Sequence, residues 1–152
     1  MKNMGMFDAF NINASGMTAQ RYRMDIISEN VANSNTTRTE DGTPYRRKVV
    51  TFAEKTSGKG NFGKVFKSAS DKYNASGVKV DQVFEDTWTE MNKVYDPSHP
   101  DADEDGYVTY PNVNAVAEMT NLIDASRSYE ANATAFAASK NMALQGLNIG
   151  KG

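Results

Sequence analysis

Apolar residues recur every three, four or seven positions near the two ends of the chain, in the stretches 6–35 and 113–147. In the first stretch they are Phe10, Met17, Met24, Ile27 and Val31. In the second they are Val116, Met119, Ile123, Ala133, Phe136, Ala137, Leu144 and Leu147. Because this spacing repeats on one face of an α-helix, the pattern predicts a long helix with one apolar stripe in each stretch.

The near-heptad spacing of both stretches favours a coiled-coil seam. We therefore expect the two helices to pair with each other or with copies of the same chain. Gly16 lies inside the first helix, where glycine costs about 1 kcal/mol relative to alanine. It therefore predicts the close approach of a neighbouring backbone. The polar run 33–37, whose side chains compete with helical hydrogen bonds, predicts the end of this helix.

Asparagine side chains mark the predicted helix starts, since they can accept hydrogen bonds from free backbone N–H groups. The first helix is expected to begin near Asn11 or Asn13. The last helix is expected to follow Pro111, with Asn112 or Asn114 as its cap.

The segment between the helices has the features of short strands and turns. β-branched and aromatic residues predict four strands, at residues 45–52, 78–84, 91–95 and 107–110. Asp41 and Gly42 predict a turn before the first strand. Residues 56–72, rich in Lys, Gly and Ser, predict a mobile loop. Trp88 is interpreted as a core or interface anchor of the β-rich unit.

This order of elements predicts an α+β fold in which long N- and C-terminal helices pair as a coiled-coil-like core and a small β-rich domain is inserted between them. Residues 1–36 are expected to form the N-terminal core helix, residues 37–111 the outer domain, and residues 112–152 the C-terminal core helix. The helix pair is expected to pack against further helices.

Composition excludes several classes of function. A net charge of −2 argues against nucleic-acid binding, which requires a concentrated basic face, and the absence of cysteine removes disulfides and thiolate metal sites. No run approaches the roughly 20 apolar residues of a membrane helix. The first residues show no apolar run of signal-peptide length, so we expect any export of the chain to proceed without a cleaved signal.

An acidic run resembles the beginning of a calcium-binding loop. Asp101, Asp103 and Asp105 occupy positions one, three and five, and Gly106 occupies position six. Position twelve, which should supply a bidentate glutamate, is Asn112. A calcium-binding module using residues 101–112 is therefore an alternative from a different functional class, and an acidic, solvated turn is the preferred interpretation. No metal site is predicted.

The sequence gives no sign of a catalytic centre. His99 is the only histidine and lies between two prolines. There is no Gly-x-Ser-x-Gly nucleophile motif and no convergent set of acid, base and metal-binding residues. We therefore predict that the chain is not an enzyme and needs no cofactor.

One passage, Ile27-Ser28-Glu29-Asn30-Val31-Ala32-Asn33-Ser34-Asn35-Thr36-Thr37, resembles the signature of bacterial flagellar rod, hook and related axial proteins. Further segments are similar to proximal rod subunits of the FlgC type. They are residues 38–48, 95–100, 106–108, 111–114, 118–119 and 125–132. The chain is thus identified as a member of the flagellar basal-body rod proteins.

The resemblance implies a structural subunit that polymerises through its terminal helices into a hollow shaft, which surrounds the export channel and transmits torque. It implies export by the flagellar type III apparatus and location in the basal-body rod, which crosses the periplasm or cell wall. The implied partners are further copies, other rod proteins and the export apparatus, with peptidoglycan possible nearby and without nucleic acid or membrane insertion. Another rod or hook-family axial subunit is the alternative within this class.

The resemblance also assigns roles to particular residues. Asn30, Asn33, Asn35 and Thr36 would form the hinge between core helix and outer segment. The subunit interface is expected to use the apolar stripes. Its expected residues are Phe10, Met17, Met24, Ile27, Val31, Val116, Met119, Ile123, Tyr129, Phe136, Leu144 and Leu147.

Overall fold

Two long helices flank four short strands in the structure, a computed structural model that describes residues 6–55 and 77–150, with side chains from residue 8 onward. The elements are α1 (Met6–Ala32), β1 (Lys48–Glu54), β2 (Val78–Glu85), β3 (Asn92–Tyr95), β4 (Tyr107–Tyr110) and α2 (Ala115–Ile149). This order confirms the α+β class. The loop predicted at 56–72 lies outside the described residues.

The helix α1 begins earlier than the capping pattern predicted. Asn11 and Asn13 lie inside the helix rather than at its start, so the predicted start is wrong. Asparagine in a helix interior costs only a few tenths of a kcal/mol relative to most residues, and packing of Phe10 on the partner helix outweighs that cost. The end of α1 at Ala32 agrees with the predicted end near the polar run 33–37.

The two helices pack against each other antiparallel, which confirms the predicted pairing. Near the start of α1, the rings of Phe10 and Phe136 meet edge to face with their centroids 5.0 Å apart. Near the end of α1, the Asn30 amide nitrogen lies 3.0 Å from a carboxylate oxygen of Glu118, close to the start of α2.

Small residues let α1 and α2 approach closely along the middle of this interface. Ala19 and Ala125 are almost completely buried. A Cβ atom added at Gly16 would lie 2.7 Å from the side-chain oxygen of Asn132. Gly16 is therefore required by a close approach, as predicted, but the neighbour is a side chain and not a backbone. Asn132 is held in place because its Nδ2 donates to the carbonyl oxygen of Ser128 at 2.8 Å.

The strands form two separate antiparallel pairs, β1 with β2 and β3 with β4. The first pair packs against α1, where the Ser15 hydroxyl oxygen accepts a hydrogen bond from the Val78 N–H at 3.1 Å. The predicted first strand began at Tyr45, whereas β1 begins at Lys48. Tyr45 is excluded from the strand because its N–H donates to the carbonyl oxygen of Thr36 and its ring is buried.

Local signals at the turn before β1 and at the start of the last helix agree with the structure. Gly42 has a φ of 77°, in the left-handed region where glycine is favoured, and closes the turn before β1. Asn114 caps α2, since its side-chain oxygen accepts hydrogen bonds from the N–H groups of Val116 and Ala117. Asn112, the other predicted cap, has a different role in the contact described below.

Trp88 does not belong to a core. The residue is 75% exposed, and its ring makes a T-shaped contact with the ring of Phe84, with the centroids 5.4 Å apart. The interpretation of Trp88 as a core anchor is therefore wrong, and its role in an interface stays a prediction. In the described part of the chain, neither helix has a stretch both long and apolar enough to cross a membrane.

Candidate assembly site

Asn30 uses the full hydrogen-bonding capacity of its side chain to join three elements. Its oxygen accepts from the Tyr45 hydroxyl at 2.9 Å and from the Lys48 N–H at 2.8 Å. Its nitrogen donates to the Lys48 carbonyl at 2.9 Å and to Glu118 at 3.0 Å. Two donors and two acceptor lone pairs are all that an amide side chain offers. Asn30 therefore fixes α1 to both β1 and α2.

Glu118 lies beneath Asn30 and is 1% exposed. Its second carboxylate oxygen accepts from Nε and Nη2 of Arg47, at 3.0 and 2.9 Å. A buried carboxylate is tolerated when it is paired and hydrogen-bonded, and removing its partner leaves a costly unpaired charge. The Arg47–Glu118 pair therefore connects the segment entering β1 to the first turns of α2.

Asn112 completes the connection from the other side. Its side-chain oxygen accepts from the Arg47 N–H at 2.9 Å, and its nitrogen donates to the carbonyl oxygens of Asp86 and Thr89, at 2.8 and 3.1 Å. This explains why Asn112 does not cap α2.

The side chains of this network are together called the polar joint. Its members are Asn30, Tyr45, Arg47, Asp86, Asn112 and Glu118.

Electrostatics favour the charged form of Asp86. Burial is the largest single influence and raises its pKa. Hydrogen bonds from Thr89 and from the Trp88 N–H, together with the Arg47 guanidinium 3.6 Å away, outweigh burial. The pKa of the Asp86 carboxyl therefore lies below its ordinary value.

The pKa of Tyr45 is shifted in the opposite direction, upward. Burial raises the pKa of its hydroxyl well above the ordinary value, and the negative charges of Glu29, Glu85 and Glu118 raise it further. The hydroxyl therefore stays protonated and keeps donating to Asn30.

The other residues predicted as a hinge follow the end of α1. The Asn33 amide donates back to the carbonyl oxygen of Glu29 at 3.0 Å, and the Thr36 hydroxyl donates to the Asn33 side chain at 3.2 Å. Asn35 is exposed. Their role as a hinge stays a prediction.

The apolar residues of α2 divide between two faces, so the prediction of a single stripe is wrong. Val116, Met119 and Ile123 are 76%, 53% and 54% exposed. Because successive residues turn by about 100°, Glu118 points about 200° away from Val116, into the molecule. Val116, Met119 and Ile123 are called the outward stripe. The spacing rule failed because periodicity alone does not say which positions face the partner helix.

The remaining predicted interface residues occupy several environments. Ile27 is buried within the chain. Half-buried positions are Phe10, Met17, Met24, Val31, Tyr129 and Phe136. Leu144 and Leu147, near the end of α2, are exposed. The assembly role of all these residues stays a prediction.

A pocket of about 250 Å³ opens between α1, β1 and α2, and is called the socket. Its lining residues are Arg23, Ile26, Ile27, Arg47, Lys48, Val49, Val50, Phe52, Glu118 and Asn121. Arg47 pairs with Glu118, and Lys48 pairs with Glu29. Arg23 has no ionic partner among the described residues. The socket thus has a half-apolar, half-polar lining, in which Arg23 is the cation left unpaired by the described residues.

Two carboxylates of the acidic turn accept hydrogen bonds from neighbouring protein groups. Asp103 accepts from the N–H groups of Asp105 and Tyr107, at 3.1 and 2.7 Å, and Asp101 accepts from the Thr37 hydroxyl at 2.8 Å. Across residues 6–55 and 77–150, no three His, Asp or Glu side chains are grouped to hold a metal ion. This geometry supports the turn interpretation of the acidic run.

Sequence reasoning missed Arg47, Tyr45, Asn112 and Glu118 as members of one network. Asn30 and Glu118 are 88 positions apart, so no local spacing indicates their contact. The one available signal was a lone glutamate in the sparsely charged first turns of α2.

Comparison with known proteins identifies the family. A family model described as flagella basal body rod protein matches residues 10–38, and one described as flagellar basal body rod FlgEFG protein C-terminal matches residues 104–149. The flagellar basal-body rod protein FlgC of Bacillus subtilis is 45% identical over 97% of this chain and 100% of the relative. The FlgC proteins of Borreliella burgdorferi and Escherichia coli are 42% and 36% identical, over 98% and 97% of this chain and the full length of each relative. The chain therefore belongs to the FlgC family of flagellar basal-body rod proteins.

Proposed function

We propose that this structural rod subunit acts without catalysis, by polymerising through its helices into a hollow shaft that surrounds the export channel and transmits torque. Its proposed partners are further copies of the chain and other rod proteins. Handling by the export apparatus and proximity to peptidoglycan stay predictions of the resemblance.

The outward stripe is the observation that carries this proposal. Three large apolar side chains lie exposed in line on α2, while a glutamate, an alanine and a serine are buried on the same helix. A contiguous exposed apolar surface marks an interaction site in a folded protein. Burying each of these side chains against a neighbour would contribute about 1.5–3 kcal/mol, so a repeated contact of this kind stabilises a polymer.

The polar joint supports a role in transmitting torque. Hydrogen bonds and ion pairs have directional geometry, and fully satisfied buried networks rigidify a fold. Asn30 and Glu118 link both helices and β1, so a twist applied to the helices passes to the β-rich part through short, specific contacts.

A pair of matched substitutions tests the proposal. Ile123→Glu places a charge on the outward stripe, whereas Ser128→Glu places the same charge at an exposed position about 140° away around α2. Each variant replaces the native copy in a motile cell, and the chain is quantified in isolated basal bodies alongside swimming speed.

We expect Ile123→Glu to reduce incorporation into basal bodies at least tenfold and to abolish swimming, while Ser128→Glu retains both. Circular dichroism of the purified variants checks that helix content is unchanged. Incorporation of Ile123→Glu at the native level would overturn the proposal that the outward stripe is an assembly surface.

A further inference from the structure

We propose that the outward stripe of one copy inserts into the socket of the next copy, so that subunits join head to tail. This inference rests on the proposed polymerisation and specifies which two surfaces meet. The occupant of the socket is thus a second copy of this chain.

The two surfaces lie on opposite sides of α2. The helix contributes Glu118 and Asn121 to the socket, and each of them points about 200° away from a stripe residue two positions earlier, Val116 and Met119 respectively. A surface that binds a different surface of the next copy makes a heterologous contact, which continues into an open helical polymer when the rotation does not close. This is the symmetry that a shaft requires.

The outward stripe and the β1 side of the socket both present apolar side chains. Val49, Val50 and Phe52 line the β1 side of the socket and are each only half-buried. Since a water molecule occupies about 30 Å³ of liquid, a socket of about 250 Å³ has room for several water molecules. An aliphatic side chain such as Met119 or Ile123 would displace water from the apolar half of this lining, which is favourable.

Charge complementarity favours the same arrangement. Arg23 is the unpaired cation of the socket among the described residues. Glu130 lies seven positions after Ile123, so it falls within about 20° of the same face of α2. Its carboxylate is exposed and has no ionic partner in the described part of the chain. Insertion of the outward stripe would therefore bring the Glu130 carboxylate, on the same face of α2, toward the copy whose socket contains Arg23.

The competing arrangement, stripe against stripe, lacks these features. It would form a closed two-fold pair, leave both sockets filled with water, and leave Arg23 without a carboxylate.

Cysteine cross-linking distinguishes these arrangements, because the chain contains no native cysteine. Met119→Cys marks the stripe and Val50→Cys marks the socket. Basal bodies are isolated from cells expressing each single variant, both singles together, or the double variant, and are treated with a short bis-maleimide. Ser128→Cys combined with Val50→Cys is the matched control.

We expect cross-linked dimers from the mixed singles, a ladder of higher oligomers from the double variant, and at least tenfold less product from each single and from the control pair. Dimers from Met119→Cys alone would overturn the inference in favour of stripe against stripe. Absence of cross-links in basal bodies that contain both variants at native levels would overturn it as well. If the chain were absent from basal bodies altogether, the proposed function would itself have failed.

A charge exchange tests the ionic component. Arg23→Glu and Glu130→Arg are each expected to lower incorporation into basal bodies severalfold, and the double exchange is expected to recover most of it. Two defective single variants with no recovery in the double would contradict a contact between these two side chains.

Discussion

The two faces of α2 differ from those of an ordinary surface helix. The inward face buries Glu118, Ala125 and Ser139 and packs Phe136 against Phe10, whereas the outward stripe exposes three large apolar side chains. An amphipathic helix normally turns its apolar face toward the core. The difference indicates that the polar joint specifies how the elements of the subunit meet, while the outward stripe is left for the proposed contact with neighbouring subunits.

This division has a physical rationale. Apolar contacts are strong but non-directional, so they tolerate small changes of angle. Buried hydrogen bonds and ion pairs contribute little net stability when satisfied and cost much when broken. A subunit whose internal angles depend on the polar joint therefore has one favoured shape, which suits a regular polymer.

The largest expected effect lies on the inward face. Glu118→Ala removes from a buried site the carboxylate that pairs with the Arg47 guanidinium and accepts a hydrogen bond from the Asn30 amide. We expect it to lower the free energy of unfolding by about 3–5 kcal/mol, although Arg47 keeps its longer contact with Asp86. Met119→Ala, at the adjacent position on the outward stripe, is expected to change it by less than about 0.5 kcal/mol. Urea unfolding followed by circular dichroism measures both values. Equal losses in the two variants would contradict the division between faces.

The next effect concerns the asparagines at the end of α1. Asn30→Ala removes four hydrogen bonds and leaves backbone groups of Lys48 unpaired, so we expect a loss of about 2–3 kcal/mol. Asn33→Ala removes two side-chain hydrogen bonds, one to the Glu29 carbonyl of the same helix and one from the Thr36 hydroxyl, and leaves no fully buried group unpaired, so it is expected to cost about 1 kcal/mol. The same urea titration compares the two variants. A larger loss of free energy of unfolding for Asn33→Ala than for Asn30→Ala would contradict the central role of Asn30 in the polar joint.

A smaller effect is expected where the helices approach most closely. Gly16→Ala should gain about 1 kcal/mol of helix propensity, but the added Cβ meets the Asn132 side chain. We expect no net gain in the native background and a gain of about 1 kcal/mol when Asn132→Ala is already present. Thermal unfolding of the four proteins in this cycle measures the coupling. Equal effects of Gly16→Ala in both backgrounds would rule out the contact.

Most elements of the fold can be predicted from local sequence, whereas the long-range contacts of the polar joint cannot. The strand predicted at 107–110 is correct, and of the two caps predicted for α2, Asn112 or Asn114, the structure has Asn114. Asn30 and Glu118 meet across 88 positions, which spacing rules do not cover. The family signature marked Asn30, and the structure supplies its physical reason. The socket could not be predicted because it exists only where three elements converge.

The smallest effect is a pH dependence at the edge of the joint. The folded pKa of Asp86 lies below its ordinary value, so its ionised form contributes stability above the unfolded pKa of about 3.9. That contribution is lost as pH falls through the lower folded pKa. We expect the free energy of unfolding of the native protein to decline more steeply below about pH 4 than that of Asp86→Asn. If the free energy of unfolding declined equally steeply in both proteins, the Asp86 carboxylate would be excluded as the cause of the acid destabilisation.

We propose that the outward stripe contributes to assembly and not to the fold of the subunit. Urea unfolding of the dilute protein carrying Val116→Gln, Met119→Gln and Ile123→Gln together tests this directly, since glutamine is a good helix former. We expect a free energy of unfolding within about 1 kcal/mol of the native value. A loss of several kcal/mol, comparable to that of Glu118→Ala, would instead place the stripe in the core of the subunit.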